Sequence, residues 1–265
     1  MINIVRRQLE RNWPFLLAVM LVLGGFEFLL CAMVATVNVE EMFTQMSNMM
    51  PPLFRAMIEQ NMPGGRPAGV LAFGWNHPVA HALLTAVAIA PPVQAIAGEV
   101  ESGAIELVLA QPISRARYLA AHLAFGAGAL AAVLGAGVAG TALGQAVYSL
   151  DAFGWPRLAE LFVNGLLLQL AIYGVTLAIS AFGREGGRVA LAGVLVAVVS
   201  FLVNAVATLW SKAEFARPWS LHHYFDPREV LVNGHLAAAS IVTLGAIAIA
   251  GIAVASLRFE RRDLP

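Results

Sequence analysis

A short charged stretch, residues 98–118, lies between two long apolar segments and holds the side chains best suited to act on another molecule. It contains three glutamates and two arginines: Glu99, Glu101, Glu106, Arg115 and Arg117. Carboxylates and guanidinium groups at a membrane surface can form charge-assisted hydrogen bonds with a soluble protein. The chemistry predicted for this stretch is therefore recognition of a partner.

An apolar row accompanies these charges. If residues 101–110 are helical, Ile105, Val108 and Leu109 share one face, because residues three and four positions apart lie on the same side of a helix. Three further residues could turn the chain, end this helix and cap the next one: Gly98, Pro112 and Ser114. The alternative is a simple tight turn, but a turn needs fewer residues and no exposed apolar row.

The chain lacks the sequence of an ATP-binding loop. That loop requires Gly-x4-Gly-Lys-Ser/Thr, because its lysine reaches the phosphates, and the only lysine here is Lys212, which Ala213 follows. The run 135–140 fits Gly-x-Gly-x-x-Gly, but it lies inside an apolar segment and not after a strand. There its small residues, with Gly140 and Gly144 four apart, favour close helix packing. We therefore expect no cofactor in this chain.

Glu27 lies near the middle of the first apolar segment. An acidic charge there costs about 2.5–3.5 kcal/mol on insertion scales, so the side chain should face other helices or a wet cavity. Two hypotheses remain open. Glu27 could line a transport path, or it could be a protonated carboxyl bonded to another helix. The candidate partners are Gln169, Ser180 and Asn204.

Two histidines, His77 and His81, are four residues apart and could share a helical face that binds zinc or copper. A methionine-rich loop at 38–76 could add soft ligands. The spacing ties no acidic or cysteine ligand to these histidines. We therefore predict no metal site and no catalytic set.

The composition is that of an integral membrane protein. The chain has 265 residues, of which 59% are hydrophobic and 12% are charged, whereas soluble domains carry about 25% charged residues. Lys+Arg and Asp+Glu both number 16, so net charge gives no argument for a nucleic-acid partner. The single cysteine, Cys31, excludes an internal disulfide.

Six apolar segments are long enough to cross a bilayer, which takes about 20 residues. They are residues 15–37, 77–97, 118–148, 159–182, 188–210 and 236–257. Pro91-Pro92 should kink the second of them. The sequence predicts one all-α domain, 1–265, with a basic amphipathic elbow helix at 1–14. Its other parts are outer loops at 38–76 and 211–235 and a cytoplasmic segment at 98–117.

The distribution of basic residues predicts the orientation of the chain. With the N-terminus in the cytoplasm, ten of the sixteen basic residues lie on the cytoplasmic side. Cytoplasmic loops are enriched in Lys and Arg. Both termini are therefore predicted to be cytoplasmic.

The charged stretch resembles the signature of ABC-2 type permeases. The matching residues are Gly98-Glu99-Val100-Glu101-Ser102-Gly103-Ala104-Ile105-Glu106-Leu107 and Gln111-Pro112-Ile113-Ser114-Arg115. The common form of the signature is an acidic pair, Ser/Arg-Gly-Thr, Glu-Leu-Leu-Leu and Pro-Val-Ser-Arg, so Ala104 replaces the frequent Thr and Ile113 the frequent Val. The ending Phe259-Glu260-Arg261-Arg262-Asp263-Leu264 is similar to that of many such permeases.

This resemblance implies an exporter of the type V architecture in the bacterial inner membrane. A cytoplasmic coupling helix would dock on a separate nucleotide-binding ATPase that holds ATP and Mg²⁺. A second permease copy, or a similar chain, would complete a path through the lipid bilayer for an amphipathic compound or a lipid. By position, the implied contacts are Glu99, Glu101, Gly103, Glu106, Pro112 and Arg115.

Two other classes of membrane protein remain as alternatives. A stand-alone secondary carrier, a channel or an assembly factor needs no ATPase. Carriers usually show intramembrane charges, inverted repeats and unwound helices, and here only Glu27 and Pro91-Pro92 point that way. The third class, an intramembrane enzyme, lacks a catalytic set.

Overall fold

The computed structural model describes residues 2–38, 41–42, 44–45, 49–51, 55, 66–105, 113–150 and 152–262. Two predicted contact residues, Glu106 and Pro112, lie outside this part of the chain. The second half of the predicted helix 101–110, with Val108 and Leu109, and much of the loop 38–76 also lie outside it.

Helices make up almost all of the described chain, and none of its described residues forms a strand. The α-helices are α1 (Ile2–Thr36), α2 (Pro67–Trp75), α3 (Pro78–Val93), α4 (Arg115–Val147), α5 (Trp155–Phe182), α6 (Gly186–Leu209) and α7 (Ala238–Glu260). A π-helical turn, Gln94–Gly98, and a helical turn, Glu99–Glu101, continue α3. With α2 they form one span, Pro67–Glu101, so the described residues contain six helices long and apolar enough to cross a membrane. The predicted all-α, six-span class is confirmed.

The helices run alternately between two ends of the bundle. The terminal end carries the start of α1 and the end of α7, together with the segment after α3. The opposite end, called here the loop end, carries the segment between α6 and α7, which forms two 3₁₀ helices, Ser211–Trp219 and Leu221–Tyr224, and a π-helical turn, Glu229–Asn233.

The first helix differs from the prediction of a separate elbow and crossing. α1 is continuous from Ile2 to Thr36 and includes Pro14. A proline removes one backbone donor, but the hydrogen bonds on either side of it keep the helix in one piece. Trp13, just before it, is exposed on the outside of the chain.

The second span begins within the predicted loop 38–76. Helix α2 is short and apolar, and its Leu71 and Trp75 are buried in the bundle. It ends at Asn76, and α3 starts anew because His77 Nδ1 accepts a hydrogen bond from the Val79 amide at 3.3 Å. The nine residues of α2 are too few to form a recognisable apolar span, so the prediction assigned them to the loop.

The prolines of the second span change its hydrogen-bond pattern. Pro91 and Pro92 lie inside α3, and the π-helical turn follows immediately at Gln94–Gly98. Each proline lacks an amide donor, and π-helical turns occur where the regular ladder is interrupted. The disturbance predicted at Pro91-Pro92 therefore takes this form.

Two helix pairs meet through glycine. Between α1 and α4, a Cβ added at Gly140 would lie 2.1 Å from the carbonyl oxygen of Gly24, and one added at Gly144 would lie 2.5 Å from the Cβ of Cys31. Between α5 and α7, a Cβ added at Gly174 would lie 2.7 Å from the carbonyl oxygen of Ala248. The close packing predicted from Gly140 and Gly144 is confirmed, and it occurs within one chain.

The six spans differ in how much they are covered by the rest of the chain. The second and fourth bury 67% and 61% of their most apolar window, whereas the fifth and sixth bury 22% and 17%. Helix α3 therefore lies inside, in contact with α4, α5 and α6, and α6 has one face on the bundle and the other outside.

Candidate functional site

The chain turns after α3 at Gly103, and not at Gly98 as predicted. Gly103 has φ +70°, a left-handed conformation that favours glycine, whereas Gly98 has φ −67° and is helical. The side chain of Ser102 donates to the carbonyl of Gly98 at 2.9 Å and closes the turn. Ile105, predicted to belong to an exposed apolar row, is instead buried in the core.

Glu99 faces the bundle and not an open surface. Its side chain is buried, and Oε1 lies 3.7 Å from Nη1 of Arg11, near the start of α1. The other Arg11 nitrogen, Nη2, donates to the side-chain oxygen of Gln94. Glu99 therefore connects the segment after α3 with α1, and Arg11 is a functional residue that the sequence analysis missed.

Glu101 is exposed and connects the same segment with α6. Its Oε2 accepts a hydrogen bond from the amide of Gly186, the first residue of α6, at 2.7 Å. The first amides of a helix have no partner within the helix, and a carboxylate also interacts favourably with the positive end of the helix dipole. The segment after α3 is thus attached directly to the start of α6.

Arg115 lies at the first position of α4, and its guanidinium is committed within the chain. Nη1 donates to the carbonyls of Phe259, Glu260 and Arg262 at 2.9, 3.0 and 2.7 Å. These carbonyls end α7, where the helix offers no donors of its own. The predicted N-cap is confirmed, because Ser114 Oγ accepts from the amide of Arg117 at 3.3 Å.

A second arginine completes this end of the bundle. Arg262 donates to the carbonyls of Ala181 and Gly183 at 3.0 and 2.8 Å, and so caps α5 from the far end of α7. Burial lowers the pKa of Arg262, and the nearby Arg184 and Arg258 add to this shift. Of the described residues predicted as partner contacts, only Glu101 and Gly103 are exposed.

Glu27 is fully buried, and its partner differs from those predicted. Oε2 lies 3.5 Å from Oγ1 of Thr141 on α4, which also accepts a hydrogen bond from the indole of Trp75 at 3.3 Å. Neither Gln169, Ser180 nor Asn204 is the partner. Thr141 lies on the small-residue face of α4 that packs against α1, which is a signal the sequence already contained. The burial and this contact favour the structural hypothesis for Glu27.

The predicted histidine pair is divided between two roles. His77 caps α3, whereas Nε2 of His81 lies 3.1 Å from Oδ1 of Asn76. The ring of His81 lies 4.9 Å from that of His222, which comes from the segment between α6 and α7. His222 Nδ1 in turn lies 2.9 Å from Oγ of Ser200. Within the described part of the chain, no three His, Cys, Asp or Glu residues are grouped to hold a metal ion.

A cavity of about 560 Å³ lies between α3 and α6 and is called here the lateral cavity. Thr85, Ile89 and Val93 line it from α3, and Val194 and Val198 line it from α6. The described lining residues carry no formal charge, apart from the histidines His81 and His222 at the loop end of the cavity. Pockets of a few hundred Å³ with apolar walls and few polar groups are typical of ligand sites.

Helix α6 joins the two features of the site. It begins at Gly186, which Glu101 binds, and its residues from Ala190 to Phe201 form one wall of the lateral cavity. A displacement of the segment after α3 would therefore act on that wall through a single helix. Neither the Glu101–Gly186 contact nor the cavity was predicted, because both join residues far apart in the chain.

Comparison with known proteins agrees with this architecture. The sequence matches the model of a family described as ABC-2 family transporter protein over residues 14–264, almost the whole chain. Curated proteins give no match. With its six apolar spans, the chain therefore belongs to the ABC-2 family of transporter membrane proteins.

Proposed function

We propose that this chain is the permease subunit of an ATP-driven exporter, and that α6 carries movement of the coupling segment to the wall of the lateral cavity. The observation that supports this proposal is the 2.7 Å hydrogen bond from the Gly186 amide to Glu101 Oε2. It joins the segment that resembles a coupling helix to a helix that lines a cavity.

The packing of the bundle favours α6 as the moving part. The α1–α4 and α5–α7 contacts are closed by glycines whose backbones touch, so these pairs move as units. Helix α6 buries only 22% of its most apolar window and has a cavity at its side. Regions with fewer buried contacts open at lower free-energy cost.

The second connection of the segment leads to α1. The buried carboxylate of Glu99 lies 3.7 Å from Arg11 Nη1, and α1 is packed tightly on α4. In the proposed cycle, the Glu99–Arg11 contact holds the α1–α4 pair, while Glu101 pulls on α6. The two glutamates thus divide one input between a fixed half and a movable helix.

In this proposal, the force comes from a separate ATPase that binds ATP and Mg²⁺. The terminal end faces the cytoplasm, in agreement with the ten basic residues predicted there. Two copies of the permease form the complete transporter in the bacterial inner membrane. The cargo is an amphipathic compound or a lipid, because the walls of the lateral cavity are apolar.

The test is the ratio of transport to ATP hydrolysis in vesicles that contain the permease with its ATPase subunit. Glu101→Ala removes the acceptor for the Gly186 amide, and we expect about tenfold less transport per ATP with the complex still assembled, the size expected for one charge-assisted hydrogen bond. Glu185→Ala is the matched control. Glu185 is also a carboxylate at the start of α6, but its side chain is half exposed and pairs only with Arg188. An unchanged ratio for Glu101→Ala would rule out this route of coupling.

A further inference from the structure

The lateral cavity continues into a second, more polar cavity at the loop end. This second cavity, called here the vestibule, has a volume of about 430 Å³. Three residues line both cavities: Pro78, Phe201 and His222. A single ligand could therefore occupy both spaces and pass by these three side chains.

The vestibule carries more positive than negative charge. Its described lining residues with a formal charge are Arg217, Arg228 and Asp226. Burial lowers the pKa of His222 to about 4, and burial with the nearby Arg217 also lowers the pKa of His223, despite the opposing effect of Asp226. Both histidines are thus neutral at pH 7, and two guanidinium groups face one carboxylate.

Donors in the vestibule are available to a ligand. The Nε of Arg217 is buried and has no hydrogen-bond partner within the described residues. Nδ1 of His223 is in the same condition, whereas the carboxylate of Asp226 accepts from the amide of Glu229 at 3.1 Å. An unpartnered guanidinium donor in a partly buried site is suited to an anion.

The lateral cavity has the opposite character and opens toward the lipid. Val194 and Val198 line it and are also 43% and 47% exposed on the outside of the chain. A molecule in the bilayer could therefore enter from the side. The apolar walls suit an acyl chain, since burying apolar surface needs no hydrogen bonds.

We infer that the two cavities together bind an amphiphile with an anionic headgroup, with its tail in the lateral cavity and its headgroup beside Arg217 in the vestibule. The inference rests on the proposed transport function and gives the class of cargo. A neutral or cationic amphiphile would fit the lateral cavity equally well but would leave the guanidinium groups without a counter-charge.

The test measures binding to the purified chain in nanodiscs of zwitterionic phosphatidylcholine, without the ATPase. The probe is radiolabelled dodecyl phosphate. Dodecyl maltoside and dodecyltrimethylammonium have the same tail with a neutral and a cationic headgroup, and inorganic phosphate has no tail. We expect dodecyl phosphate to bind at least about tenfold more tightly than each of the other three, the ratio that one hydrogen bond to a charged group provides.

Two pairs of variants locate the bound molecule. Arg217→Gln should weaken dodecyl phosphate by roughly three- to tenfold, whereas Lys212→Gln, an exposed cation on the same 3₁₀ helix and outside the lining, should not. Val198→Trp should fill the lateral cavity and prevent binding. Val199→Trp, its neighbour on the outer face of α6, should leave binding intact.

Several outcomes would overturn the inference. Equal binding of the phosphate and maltoside probes would show that the vestibule does not select a negative charge. Equal binding of inorganic phosphate would show that the tail is not held. If Val198→Trp instead prevents self-association of the chain, the lateral cavity is covered by a second copy. Because no ATPase is present, none of these results depends on coupling, and a failure of the Glu101 test would leave them unaffected.

Discussion

Two contacts between apolar helices in this molecule have opposite geometry. Where α1 meets α4, the backbones of Gly24 and Gly140 touch and no space remains. Where α3 meets α6, alanines and valines hold the helices apart around a cavity of about 560 Å³. Both contacts are built from apolar residues, so hydrophobicity does not distinguish them. The presence of glycine at the point of closest approach decides which contact is closed and which can hold a ligand.

The comparison predicts that the closed contact tolerates no added side chain. Gly140→Leu should prevent folding or destabilise the chain by at least about 3 kcal/mol, since overpacking against backbone leaves no room to adjust. Gly135→Leu on the same helix is the control, because a Cβ there meets nothing within 4 Å. Thermal unfolding of the detergent-solubilised variants measures the difference. Equal stability of the two variants would contradict the closed geometry.

A smaller loss is expected where the outer helices are fastened at the terminal end. Arg115→Ala removes the donor to three carbonyls of the α7 end and should cost about 1–3 kcal/mol, the penalty for unsatisfied polar groups. Arg117→Ala, an exposed neighbour, should have no effect. If both variants unfold at the same temperature, the arginine does not hold α7 in place.

The open contact should weaken in acid. Burial lowers the pKa of His222 to about 4 from its ordinary value of 6.5. Between these values the unfolded chain binds the proton more readily, so this contribution to stability is complete above pH 6.5 and is lost as the pH falls toward 4. The unfolding temperature of wild type should fall over this window, and His222→Phe should reduce the fall. An identical pH profile for the variant would exclude His222 as the cause.

The smallest effect on stability is expected at the start of α6. Gly186→Pro removes the amide that Glu101 binds, yet proline is favoured at the first position of a helix. The unfolding temperature should change little, while transport per ATP falls as in Glu101→Ala. Gly186→Ala keeps the amide, although its Cβ would lie 3.1 Å from Glu101 Oε2. Transport by Gly186→Pro at the level of Gly186→Ala would show that this hydrogen bond carries no coupling.

The covalent neighbourhood of a residue determined what could be predicted. Runs of about 20 apolar residues define spans wherever they lie, and the described structure contains six. The cap at Ser114 and the small-residue face of α4 were likewise predicted correctly, because each depends on residues a few positions apart. Helix α2 was missed, since nine residues are too few to mark a span. The role of Gly98 was wrong because many glycines are helical.

The amino-acid sequence by itself determined the membrane class, the six spans and the charged stretch that resembles a coupling segment, since all of these depend on composition and local order. Only the tertiary structure decided that Glu27 meets Thr141, that Arg115 binds the end of α7 and that Glu101 binds the start of α6. It also decided that His81 meets His222 beside a cavity. These contacts join distant parts of the chain, and the way the helices pack sets which side chains meet. Local patterns describe each helix alone and contain no information about its neighbour.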